Sequence, residues 1–116
     1  MGDAWFTDVA DELARCLVDA RHCAETGERL LESTEPGAQR KALLDALIAP
    51  IAVSRVLIEL IDYPPQLALA ATRLLADTAD EGALTLESLD GVDTAAAIGA
   101  LRHVVSSARA LLDAAR

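Results

Sequence analysis

Residues 9–30 read VADELARCLVDARHCAETGERL, and within them Val9, Leu13, Cys16, Ala20, Cys23, Gly27 and Leu30 recur at spacings of 4, 3, 4, 3, 4 and 3. That alternation is a heptad seam, the mark of a helix that lays one stripe of small and apolar side chains against neighbouring helices. Gly27 costs a helix interior roughly 1 kcal/mol against Ala, but on the seam it lets a partner helix come close. Outward from this core the helix is predicted over about residues 3–32. It should stop at Glu32-Ser33-Thr34-Glu35-Pro36-Gly37, a cluster of turn-forming residues.

Two further breaks divide the rest of the chain. Tyr63-Pro64-Pro65 is a sharp stop, and Asp90-Gly91-Val92-Asp93 is a weaker one. They predict helices over about 38–62, 65–89 and 93–115. The second is apolar around much of its circumference, through Leu43, Leu44, Leu47, Ile48, Ile51, Val56, Leu57, Ile58, Leu60 and Ile61. A helix of that kind is buried on more than one side, which points to a dimer interface carried by Leu47, Ile51 and Ile58. Pro50 should kink it, because proline removes one backbone donor and crowds the carbonyl four residues back. The third helix begins with Pro65 in its first turn and has a seam of Ala68, Ala71, Leu75, Thr78 and Gly82. Residues 83–92 read as either helix or loop. The fourth, with Asp93 as N-cap, has a seam of Ile98, Leu101, Val105, Ala108, Leu112 and Ala115. Strand periodicity never persists. Short loops between long helices predict a single all-α domain over residues 1–116. It is an antiparallel up-down-up-down four-helix bundle, with an intertwined or domain-swapped dimer as its variant.

Composition sets the function classes. Apolar residues make up 53% of the 116, too many for a disordered chain. The net charge is −9, and Arg40-Lys41 is the one adjacent basic pair. Phosphate-rich partners need clustered Lys and Arg, so nucleic acid and anionic membrane surfaces are excluded as expected partners. The start of the chain lacks a basic region followed by an apolar run, and no segment is long and apolar enough to span a bilayer. The expected location is therefore the cytoplasm.

Within the seam, Cys16-x-x-x-Ala20-x-x-Cys23-x-x-x-Gly27 keeps a Cys-x-x-x-Cys-x-x-Cys frame, and His22-Cys23-Ala24 has a local His-Cys-Ala form. In this frame, and in the lengths and tight junction of its second and third helices, the chain resembles the bacterial four-helix-bundle copper-storage proteins. It does so as a degenerate member lacking nearly all the core cysteines. The resemblance implies a bundle. It departs where copper chemistry would need it, because positions held by Cys in that family are Ala, Leu, Thr or Val here. Copper(I) prefers two or more thiolates, and seven helical residues separate Cys16 from Cys23 by roughly 10 Å. They cannot share an ion or form a disulfide. They are expected to be small buried apolar residues, the weak candidates for a residual metal site. No copper store and no cofactor are expected.

The remaining chemistry is sparse. His22 lies at the edge of the first seam and His103 beside the fourth, so the imidazoles approach each other if these helices are neighbours. They could then act as general acid and base or share a metal. Asp77 and Glu81 share one side of the third helix, in a stretch with no base between Arg73 and Arg102. They can form a solvated face, a hard-cation site or a surface for a cationic peptide. Trp5 and Phe6 cap the bundle end or anchor a partner. Phosphate loops, nucleophile elbows, His-Glu-x-x-His and Cys-x-x-Cys are all missing. The expected function is a small acidic binding or assembly protein acting as a homodimer on a peptide or protein partner. Its ligand-contact candidates are Trp5, Phe6, Arg21, His22, Asp77, Glu81 and His103. The alternative is a small enzyme or biosynthetic helper that positions a peptide or small molecule. A residual metal-binding bundle comes third.

Overall fold

The computed structural model describes residues 2–116, with side chains described from Thr7 onward. Helix α1 spans Gly2–Ser33, α2 Ala38–Glu59, α3 Pro65–Glu87 and α4 Ala95–Ala114, and a single 3-10 turn at Leu60–Asp62 extends α2. Among the described residues there is no strand. Helix α1 packs on α2 and α4, and α3 packs on the same two. With short loops, this square of neighbours is an up-down-up-down four-helix bundle, 53 Å long. Among the described residues no helix is long and apolar enough to cross a membrane.

The boundaries differ from expectation in two places. Residues 83–87 continue α3 as helix and the chain leaves it at Ser88. The last helix starts at Ala95 with Thr94 as N-cap, not Asp93. Asp93 still serves that end, since its Oδ1 accepts the Ala95 N–H at 3.2 Å. That satisfies a donor the helix cannot pair internally.

The α1 seam is the centre of the core. Val9, Cys16, Ala20, Cys23 and Gly27 are buried, and Leu13 and Leu30 are half-buried. On α3 the buried row is Ala68, Thr72, Leu75, Ala79, Gly82 and Leu86, with Ala76 and Ala83 beside it. The predicted Ala71 and Thr78 lie only half inside. Thr72 is accommodated because its hydroxyl donates to the Ala68 carbonyl at 2.7 Å. On α4, Ala97, Ala100, Leu101, Val104, Val105, Ala108 and Leu111 are buried, while Ile98, Leu112 and Ala115 sit at the rim.

Helix α2 turns Leu43, Ala46, Leu47, Pro50, Ser54 and Leu57 inward. This corrects the expected interface at Leu47, which is 1% exposed and belongs to the core of its own chain. Ile51 is half-buried against α1, where a Cβ on Gly27 would stand 2.9 Å from its Cδ1. Ile58 is half-buried as well. The exposed large apolar side chains of this helix are Leu44, Ile48 and Val56. Helix α2 is continuous through Pro50. Proline has no N–H for the Ala46 carbonyl, and that carbonyl is directed at Gly82 of α3, where a Cβ would lie 2.7 Å away.

Polar contacts tie the helices together. Arg55 grips Glu28 across α1 and α2 with two donors, the closest at 2.9 Å. Arg102 pairs with Glu87 across α4 and α3. Ser107 of α4 donates to the half-buried carboxylate of Asp19 on α1. A hydrogen bond to a charged group is worth about 1.5–3 kcal/mol, more than a neutral one. Ser107→Ala is therefore expected to lower the unfolding free energy by about 1–2 kcal/mol. Urea denaturation measures this, and an unchanged midpoint would show that the bond contributes nothing.

Candidate functional site

Large apolar side chains left in solvent are the first feature a bundle of this size must account for. Among the described residues nine are exposed: Val18, Leu44, Ile48, Val56, Ile61, Tyr63, Leu67, Leu74 and Leu84. Eight of them fall between residues 44 and 84, on α2, α3 and the turn joining them. Among the described residues α1 holds one and α4 none. Scattered exposed leucines need no explanation, but this bias toward one half of the bundle sets α2 and α3 apart from α1 and α4.

The polar candidates do not converge on that patch. Arg21, His22, Asp77, Glu81 and His103 are all exposed. Helices α1 and α4 are neighbours, and Ser107–Asp19 fixes their register. His22 is one turn from Asp19, and His103 one turn from Ser107. Since the helices are antiparallel, His22 and His103 stand at the same level of the bundle on adjacent helices, both exposed. Asp77 and Glu81 are on α3, diagonal to α1, so they share no site with His22. The Trp5 and Phe6 side chains lie outside the described residues. Among the described residues no three His, Cys, Asp or Glu side chains are grouped to hold a metal ion.

The cysteines are electrostatically quiet. Burial pushes the Cys16 thiol up to about 12, with the nearby Asp19 charge adding to it. Burial raises Cys23 to about 11, opposed by the Ser54 hydroxyl. Ser54 acts on the thiol without reaching hydrogen-bond geometry: among the described residues its Oγ is the buried side-chain oxygen with no partner. A thiol held protonated in this way is neither a nucleophile nor a ready metal ligand.

A hollow of about 610 Å³ opens at one end of the bundle, between the α1–α2 and α3–α4 loops. Leu30, Pro36 and Val92 supply its apolar wall, and Ser33, Glu35, Gln39 and Asp93 its polar groups. Gln39 lies over Gly91, whose φ of +81° suits glycine. None of these polar groups is among the ligand-contact candidates chosen from sequence. The signals for the hollow are Pro36-Gly37 and Asp90-Gly91, because an up-down-up-down order places the first and third loops at the same end. Compared with protein-family models, with curated proteins and with solved structures, the chain matches none.

Proposed function

We propose that this chain is a small acidic binding or assembly protein that works as a homodimer on a cationic peptide or protein partner, without a cofactor. The observation that carries the reading is that eight of the nine large apolar side chains exposed among the described residues lie on the α2–α3 hairpin. The net charge of −9 favours a basic partner once the dimer has formed. Copper storage has no part in this reading, because two thiols two helical turns apart cannot share an ion.

The test is a single charge on the hairpin. Ile48 is 56% exposed in the isolated chain, so Ile48→Glu should alter its melting by no more than about 0.5 kcal/mol of stability. In a dimer the same change buries two unpaired carboxylates, each disfavoured by several kcal/mol. Sedimentation velocity should show a dimer for the native chain and a monomer for the variant at the same concentration. A variant that sediments like the native dimer would place the interface elsewhere.

The hollow between the loops supports a second reading, a biosynthetic helper that holds a peptide or small molecule in a reactive pose. A ligand seated there would raise the melting temperature of native chain and Ile48→Glu alike.

A further inference from the structure

We draw no further inference here: the strongest candidate, the hollow between the α1–α2 and α3–α4 loops at one end of the bundle, belongs to the site already described, and its exposed carboxylates, Glu35 and Asp93, do not by themselves name a ligand.

Discussion

Gly82→Ala unfolds about 10–15 °C below the native protein, the change that about 2–3 kcal/mol produces in a domain of this size. By helix propensity alone the substitution should stabilise α3 by about 1 kcal/mol. Packing reverses the sign. Pro50 strips the Ala46 carbonyl of its helical partner, and that oxygen lies where the new methyl must go, 2.7 Å from it. The obstacle is backbone, so it can yield only if α2 moves as a body, drawing its own Leu47, Ser54 and Leu57 out of the core. Gly27→Ala meets the Ile51 side chain at 2.9 Å, a group that can rotate, and should cost far less. A methyl placed on Gly99 of α4 would have nothing within 4 Å, and Gly99→Ala should stabilise by about 0.5–1 kcal/mol. Thermal melts of the three variants give the order. A Gly82→Ala protein as stable as the native one would mean that the α2–α3 contact is looser than described.

Alkali should unfold the native protein more readily than a Cys16→Ala/Cys23→Ala variant. Burial is the chief cause that lifts both thiols, from 9.0 to about 12 at Cys16 and about 11 at Cys23. In the unfolded chain they ionise near pH 9, so above that pH the unfolded state binds fewer protons and is favoured. The contribution is whole below pH 9 and is lost as pH rises through 11 to 12. A tenfold difference in proton affinity between the two states corresponds to about 1.4 kcal/mol. The full loss is therefore on the order of several kcal/mol, comparable with the stability of a small domain. Melting temperatures from pH 8 to 11 should fall more steeply for the native chain than for the double variant. The two proteins differ only at residues 16 and 23, so the difference between their curves isolates the thiols. Parallel curves would mean that the two sites admit water. At pH 8 an aqueous disulfide reagent should label neither thiol until denaturant is added.

How far the sequence carries depends on the element. The α1 seam is legible because its heptad alternates large, small and cysteine positions against charged neighbours, so one stripe stands out. In α3 and α4 the seam slips by about one residue, since alanine occurs on every side of these helices and a methyl gives little sense of direction. Thr72 is inside and Thr78 at the rim for the same reason: a threonine that bonds its own helix backbone is cheap to bury. Helix α2 is apolar all round, so its composition announces two burial surfaces without saying which is which. Its phase is set by Pro50 and Ser54, residues usually assigned to the outside, which here face inward. That rotation moves Leu47 into the core and leaves Ile48 in solvent. The surface position of Arg21, His22, Asp77, Glu81 and His103 is legible from their place off the seams. Their grouping is not, because which helices are diagonal follows from packing order and not from any local pattern.

The central claim is that the α2–α3 hairpin holds two copies together, and a native mass spectrum of the purified chain tests it most directly. One dominant species is predicted at twice the 12.2 kDa chain mass, with no added metal or organic ligand. A single-chain mass at micromolar concentration, or a stoichiometric adduct on either species, would contradict it.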